Sequence, residues 1–431
     1  MSTNAPGQQP GIARADLDPV TDPIATTSSD DRTTRRDMFT IGLVGTAHGM
    51  SHFMQLTLPP LFPFIAAEFG ASYTQLGLIM TTFFVASGIG QPLAGVLVDR
   101  IGARQVLFAG LFLYALSVLV YASVGSFWMF YPIAVFAGLG NCVFHPVDFS
   151  ILNASVRERV LGRAFSVHTL GGNLGWAAAP TLMLVLAGVI GWRGALMVAS
   201  GMAFVMLFTL WLNRELLRDD RPGKVAGRSG AAPTSSASLL TNPALLMCFG
   251  FFLLLAAALI GIQNFLPPIL KDLHQTPLAL SGAALTGFLL GAALGVIVGG
   301  IVADRSRHHG AIITAGLCGS GIMLVLVAQL DMGAALLVGT VGLAGFLSGL
   351  TTPSRDLVVR SVTPPGATGR VFGYVYSGLD VGSALAPTLI GVLLDTGQPR
   401  LALWLVAGLF IAGVLTVVSL RSTHPPRARA A

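Results

Sequence analysis

Twelve apolar stretches follow one another along the chain, separated by short polar turns. They cover residues 38–67, 75–98, 104–124, 127–153, 161–190 and 193–214, and then 243–270, 279–303, 309–330, 333–361, 367–395 and 399–420. A helix of ~20 apolar residues crosses the hydrocarbon core of a bilayer. The pattern therefore predicts an all-α polytopic membrane protein with twelve transmembrane helices.

A polar stretch rich in charge, Gly, Ser and Pro divides these segments into two groups of six, and it is typical of a solvated linker. The first apolar run is too long for the hydrophobic part of a signal peptide. The predicted order is a disordered cytoplasmic tail (1–36), a six-helix bundle (37–214), a cytoplasmic linker (215–242), a second six-helix bundle (243–421) and a cytoplasmic tail (422–431).

Composition supports a membrane protein. Of the 431 residues, 53% are hydrophobic and 10% are charged, with a mean hydropathy of +0.75, whereas soluble domains carry about 25% charged residues. The net charge of +6 does not indicate a nucleic-acid partner, because the basic residues are spread over short loops. Cys142, Cys248 and Cys318 lie in apolar runs, which predicts no disulfide framework.

The basic loops fall mainly on one side of the predicted bilayer. The positive-inside rule makes that side cytoplasmic, and it includes both termini. The sequence therefore predicts a multi-pass protein of the cytoplasmic (inner) membrane.

The two groups of six segments are related by an internal repeat. Gly162-Arg163 leads to Ala179-Pro180, and Gly369-Arg370 leads to Ala386-Pro387, with the same spacing of 17 residues from Arg to Pro. A parallel repeat of this kind predicts two pseudo-symmetric bundles with the substrate path between them, near the midplane.

The loop between the second and third segments carries a motif, Gly95-Val-Leu-Val-Asp99-Arg100-Ile-Gly102-Ala-Arg104, whose start recurs at Gly300-x-x-x-Asp304-Arg305. With the twelve segments and the central linker, this motif resembles the major facilitator superfamily over about residues 38–420. The resemblance implies alternating access by rocking of the two bundles. It also implies a cytoplasmic latch in the outward-open state, although a tight, charged turn that fixes topology is the alternative. The gating residues implied are Gly95, Asp99, Arg100, Arg104, Asp304 and Arg305.

Two departures separate the chain from the drug exporters of that family. Ala134 stands where those exporters carry a fourth-helix Arg, which excludes a proton relay through that Arg, and Thr181–Leu184 replaces the paired glycines that follow Pro180. The run Phe144-His145-Pro146 is similar to one in the fosmidomycin-resistance branch of exporters, but three residues do not assign a branch.

Charged residues at membrane depth are the first candidates for function, since placing a charge there costs at least ~2.5 kcal/mol. Arg355 is predicted either to bind an anionic substrate or to pair permanently with Asp148 or with another helix, because a guanidinium binds carboxylates through two hydrogen bonds. Asp356 and Arg360 have the spacing of an ion pair on one helix face.

Carboxylates and histidines are the candidates for carrying protons. Asp380 corresponds to Asn173 in the internal repeat. It is predicted either to carry the proton or to form a hydrogen bond between two helices. The other proton-coupling candidates are Asp148, His145 and His168. Alternatively, these three side chains only form hydrogen bonds with one another.

The remaining polar residues of the spans are candidates for binding substrate. They are His52, Gln55, Asn173, Gln263 and Asn264, and three of them, Gln55, Gln263 and Asn264, precede paired prolines in the first and seventh helices. His52 is alternatively a hydrogen-bonded histidine between helices. His48 and His52, one turn apart, have a spacing that binds zinc, but no third ligand is evident in the sequence, so no metal site and no cofactor are predicted.

These residues predict a secondary active transporter that moves a small anionic organic solute together with protons. Its expected partners are that solute, protons and the lipid bilayer, and it is expected to be a monomer. The alternatives are a proton-antiporting drug or metabolite exporter and a non-transporting membrane sensor. An enzyme is not predicted, because no metal cluster or pair of nucleophile and base stands out.

Overall fold

The computed structural model describes residues 1–2, 23–217, 242–363 and 368–423, without the side chains of residues 23–33, 368–370, 372–373 and 420–423. These ranges contain helices and connecting turns and no strand. The α-helices are α1 (Pro23–Gln55), α2 (Phe62–Phe69), α3 (Tyr73–Ile101), α4 (Ala103–Tyr121), α5 (Phe130–Asn141), α6 (Phe144–Ser155), α7 (Leu161–Leu212), α8 (Pro243–His274), α9 (Leu278–Arg305), α10 (His309–Gln329), α11 (Ala334–Leu350), α12 (Thr352–Val362), α13 (Thr368–Asp395) and α14 (Pro399–Thr423).

The predicted twelve-helix membrane fold in two halves is confirmed. Ten helical stretches of the described chain are long and apolar enough to cross a membrane, and one of them, Glu158–Leu212, has 55 residues, about twice the length of a span. Gly191, with φ 76° and ψ 162°, interrupts that stretch in a conformation that glycine adopts readily. Gly191 therefore divides this stretch into two spans, which makes eleven, and the apolar part of α1 is the twelfth.

Three spans that were predicted to be continuous are interrupted. The first breaks after Gln55 and passes through a 3₁₀ turn, Pro59–Leu61, before α2. The fourth breaks between α5 and α6, and the tenth breaks between α11 and α12. Pro146 and Pro353 lie in the first turns of the second pieces, where a missing N–H does least harm to a helix.

The disordered tail over residues 1–36 stays a prediction, although α1 begins within that range, at Pro23. Neither Gly nor Pro occurs between Ile24 and Ile41, so the apolar helix extends into a polar segment without interruption. Residues 3–22, most of the linker (218–241) and residues 424–431 of the second tail lie outside the described residues.

The internal repeat is visible in the packing. A Cβ atom built on Gly138 of α5 would overlap with the carbonyl oxygen of Phe83 on α3, and one built on Gly345 of α11 would overlap with the carbonyl oxygen of Phe288 on α9. Gly138 and Gly345 occupy corresponding places in the two halves. Small residues let membrane helices approach backbone to backbone, so each half is held together by the same contacts.

The two halves touch at one end, which we call the closed end; it contains residues 56–73, 122–129, 274–278 and 395–399. Asp395 of α13 accepts hydrogen bonds from the backbone N–H groups of Tyr73 and Thr74 at the start of α3, at 2.7 and 2.8 Å. Further in, the Thr81 and Thr388 hydroxyls are 2.9 Å apart. The opposite end, where α1 begins and α14 ends, is called the terminal end.

A second pair of helices crosses between the halves in the same region. The Thr286 hydroxyl of α9 lies 2.8 Å from the Thr181 hydroxyl of α7 and donates to the Ala177 carbonyl at 3.1 Å.

Within the first half, Glu68 of α2 accepts from Arg193 at 2.6 Å and from Trp192 at 2.8 Å. The Arg193 hydrogen bond lowers the pKa of Glu68.

Replacing Gly175 with alanine should destabilise the first half. A Cβ there would overlap with the carbonyl oxygen of Gly49 on α1, and overpacking a close contact costs about 1–3 kcal/mol. The melting temperature of the purified protein should fall. Gly188→Ala, on the same helix with nothing within 4 Å of its Cβ position, is the matched control and should leave the melting temperature unchanged or higher. Equal melting temperatures for the two variants would contradict this contact.

Candidate transport site

A buried cluster of imidazoles surrounds Asp148 inside the first half. Asp148 is fully buried, and its Oδ2 atom lies 3.0 Å from His48 Nδ1 and 3.1 Å from His168 Nε2. The rings of His48 and His168 stack with their centroids 3.6 Å apart. Asp148 is therefore bonded to histidines, and a pair between Arg355 and Asp148, one of the alternatives for Arg355, is not formed.

Two further histidines complete this cluster. The His52 ring lies 4.3 Å and the His145 ring 5.2 Å from the His48 ring, centroid to centroid. His145 is the exposed member, because it lies at the start of α6, after the break in the fourth span. The cluster therefore joins α1, α6 and α7 of one half, and it supplies the third imidazole that the sequence pattern of His48 and His52 did not reveal.

His52 also begins a polar layer along α1 and α7. Its ring stacks on the Trp176 indole with the centroids 4.1 Å apart, and the indole N–H donates to Gln55 Oε1 at 2.8 Å. Asn173, also predicted to bind substrate, is half-buried one turn before Trp176. Trp176 was not predicted. The available signal was its place in mid-span, where an indole N–H needs a partner in the protein.

The predicted binding residues of the second half lie on α8. Gln263 and Asn264 are 4% and 1% exposed, and Gln263 Oε1 and both polar atoms of Asn264 lack a partner among the described residues. The next residue, Phe265, packs on Phe62 at the closed end, with the ring centroids 5.6 Å apart. Unpaired buried amides cost about 1–3 kcal/mol each, and a ligand that hydrogen-bonds to them removes that cost.

Arg355 lies inside the second half and is neutralised by its neighbour. Its Nε atom donates to Asp356 Oδ1 at 3.0 Å, and its guanidinium lies 4.6 Å from the centroid of the Phe252 ring. Tyr376 donates to the same Asp356 oxygen at 3.0 Å. The predicted Asp356–Arg360 pair is wrong: Arg360 is exposed, and Asp356 bonds instead to the residue before it and to α13.

The cavity beside Arg355 is small and apolar. Its volume is about 10 Å³, which is room for about one water molecule. It is lined by Met247, Cys248, Phe251, Phe252, Ile313, Arg355, Val358, Val359, Thr416 and Val417. An organic anion therefore does not fit in this cavity.

Asp380 lies at the boundary between the halves. The Cβ position of Gly88 on α3 is 3.3 Å from Asp380 Cβ. In the described part of the chain, Asp380 has no hydrogen bond and no ion pair. A carboxyl group in this place changes its surroundings whenever α3 and α13 move apart.

The predicted gating residues lie at the terminal end. Asp99, Arg100, Asp304 and Arg305 are exposed, and Arg104 donates to the Arg214 carbonyl at 3.4 Å. In the part of the chain that the structure describes, no atom lies within 4 Å of the Cβ position of Gly95. In this structure the two halves are joined at the closed end. The predicted latch would act at the terminal end when the closed end is open, so it stays a prediction.

This architecture, two six-helix halves with polar residues where they meet, defines a class of membrane transport proteins. The family profile of the Major Facilitator Superfamily matches residues 41–274 and 257–431. The chain therefore belongs to the Major Facilitator Superfamily. It is a multi-pass membrane protein and a secondary transporter of small solutes rather than an enzyme.

Curated relatives match along most of the chain. It is 26% identical over 382 residues to the uncharacterized MFS-type transporter YfnC of Bacillus subtilis. This alignment covers 86% of this chain and 90% of the relative. It is 24% identical over 403 residues to the fosmidomycin resistance protein of Escherichia coli, covering 92% and 96%. It is 27% identical over 382 residues to the probable L-galactonate transporter of Escherichia coli, covering 83% of each.

The fold is also similar to that of solved transporters. A bacterial homologue of the human lysosomal transporter Spinster, in an inward-facing and occupied conformation, superposes with a TM-score of 0.76 at 12% identity, over 91% of this chain and 99% of that chain. This likeness supports the fold.

Proposed function

We propose that the protein moves a small organic acid across the cytoplasmic membrane together with protons, by alternating access between its two halves. The termini and the linker lie on the cytoplasmic side in this proposal, so the closed end faces outward. The observation that carries it is Asp380, a carboxyl group at the boundary between the halves that has no hydrogen bond or ion pair among the described residues.

Asp380 is the proposed proton carrier. Desolvation penalises the charged form of a carboxyl group, and contact with water or a cation removes that penalty. Movement of α13 against α3 therefore changes how favourably Asp380 binds a proton. Asp148, His145 and His168 were expected to share this role, but Asp148 is bonded to α1 and α7 within one half, so rocking of the halves does not expose it in the same way.

The proposed binding site lies between the polar layer on α1 and α7 and the unpaired amides of α8. His52, Gln55, Asn173 and Trp176 line one wall, and Gln263 and Asn264 line the other. A hydroxylated acid offers both donors and acceptors to these groups. One relative is named as a probable transporter of L-galactonate, which is a carboxylate with several hydroxyl groups.

Arg355 is proposed to meet the carboxylate of the substrate after exchanging it for Asp356. Asp356 has a 39% exposed side chain, so it is able to leave, whereas Arg355 is 13% exposed. Because the guanidinium keeps a carboxylate partner in both states, the exchange avoids an unpaired buried charge.

The relative named for fosmidomycin resistance supports a second candidate, in which an organic anion is exported in exchange for protons. The membrane topology and the residues are the same for both candidates. They differ in the direction in which a proton gradient moves the solute.

Reconstituted vesicles test these proposals. With galactonate as the probe, an imposed proton gradient should drive solute uptake, and solute addition without a gradient should move protons, followed with a trapped pH dye. Solute and protons moving in opposite directions would establish export by exchange. Galactonate flux without any proton movement, in either direction, would contradict the coupling.

Arg355→Gln should raise the KM for an anionic substrate by about tenfold or more, equivalent to about 1.4 kcal/mol of binding. Arg355→Lys keeps the charge but loses the planar fork, so its KM should lie between those of Arg355→Gln and the wild type. Arg360→Gln, which removes an exposed charge from the same helix, is the control. An unchanged KM in Arg355→Gln would assign Arg355 a purely structural role.

A further inference from the structure

We propose that His48, His145 and His168, together with Asp148, form a binding site for a divalent transition-metal ion inside the first half of the transporter. One ligand atom from each of the three histidines lies within 4.8 Å of the others. The three residues come from α1, α6 and α7, so the fold brings them together although 120 residues separate the first from the last. This site is separate from the proposed role of Asp380.

The geometry is close to that of a zinc site. With metal–nitrogen distances of about 2.0–2.1 Å, the ligand atoms of a tetrahedral site lie about 3.3 Å apart. The imidazoles therefore need to move inward by about 1 Å. His145 is able to move, because its ring is exposed and it lies at the start of α6, directly after the break in the fourth span.

A second observation points to a ligand independently of the histidines. Asp148 is fully buried, yet its Oδ1 atom has no hydrogen-bond partner among the described residues. Its other oxygen holds both His48 and His168. Because Asp148 already bonds to two of the imidazoles, the carboxylate would orient these rings around a bound ion and offset part of its charge, as carboxylates do around metal-bound histidines.

Charge and donor type define the class of ion. One carboxylate offsets half the charge of a divalent cation, and three neutral imidazoles supply the remaining donors. Imidazole and carboxylate ligands without thiolate favour Zn²⁺, Co²⁺, Ni²⁺ or Cu²⁺ over Ca²⁺ and Mg²⁺, which require oxygen ligands. His52, whose Nδ1 atom is buried without a partner among the described residues, is a fourth imidazole beside this set.

The cluster also has a way in for an ion. His48 and His168 are 2% and 4% exposed, whereas His145 is exposed. An ion therefore meets His145 first and then passes to the two buried rings. Once bound, it would tie together three helices of one half without bridging the two halves, so binding should stabilise the fold.

The test is a cobalt titration of the full-length, tag-free protein after treatment with a chelator. Co²⁺ in a tetrahedral site absorbs visible light far more strongly than octahedral Co²⁺, and Zn²⁺ should displace it. We expect one ion per chain and a tetrahedral spectrum. X-ray absorption of the zinc-loaded protein should show imidazole ligands.

The variants His145→Gln and Asp148→Asn should weaken zinc binding by at least about 10–100-fold. His308→Gln, which changes an exposed histidine at the terminal end, is the matched control and should bind as the wild type does. His145 is exposed, so its replacement should leave the fold intact, and the melting temperature without metal checks this. A weak octahedral spectrum, or equal affinity in wild type and His145→Gln, would overturn the site. Because no transport is measured, this result is independent of the proposed solute coupling.

Discussion

Asp380→Asn should abolish accumulation of substrate driven by a proton gradient while leaving substrate exchange between the two sides of the membrane measurable. The asparagine is close in size to aspartate and cannot bind or release a proton. The fold already holds an amide at the corresponding place in the other half, Asn173, so the variant should fold. Driven uptake in vesicles should fall to the level of vesicles without protein.

The pattern of losses identifies the role of Asp380. A carrier of the coupling proton is required for uphill movement and not for exchange at equal pH, so only the first should disappear. The pH dependence of driven uptake should disappear with it. Glu215→Gln, which neutralises a carboxylate that is 80% exposed, is the control and should behave as the wild type. Uphill uptake that survives in Asp380→Asn would show that the coupling proton is carried elsewhere.

The sequence predicted the fold well because the bilayer restricts what a chain can do. A spanning segment has to satisfy its own backbone hydrogen bonds and to be about 20 residues long, so length and hydropathy suffice to locate it. The breaks in the fourth and tenth spans were missed. Pro146 and Pro353 signal them only weakly, because transmembrane helices also continue through proline, as α8 does at Pro267 and Pro268.

The site was predicted less completely, because its contacts depend on how helices are rotated against one another. His48, Asp148 and His168 were each visible as polar residues in apolar surroundings. Their convergence requires α1, α6 and α7 to pack with these faces inward, which spacing along one helix does not specify. The Asp356–Arg360 prediction failed for the same reason, since Tyr376 on α13 and the adjacent Arg355 provide Asp356 with partners.

Asp395→Asn should open the closed end. The carboxylate of Asp395 accepts from two N–H groups at the start of α3 and from the Thr74 hydroxyl, and a helix N-terminus favours a negative charge. Hydrogen bonds to a charged acceptor contribute about 1.5–3 kcal/mol each. A net loss of about 2 kcal/mol would shift the ratio of closed to open molecules by about 30-fold.

Distances between spin labels measure that shift. Ser126→Cys and Ala334→Cys place labels at exposed positions near the closed end, one on each half, in protein whose three native cysteines are replaced by alanine. Asp395→Asn should increase the population with a long distance. Asp331→Asn changes an exposed carboxylate near the closed end that has no hydrogen bond or ion pair in the described chain, and it is the control. If both variants gave the wild-type distribution, the contacts of Asp395 would not hold the halves together. A shift of the distance distribution in Asp395→Asn alone would show that Asp395 holds the closed end together. The hydrogen bonds of Asp395 must break each time the closed end opens during transport, so they should then limit the rate of opening.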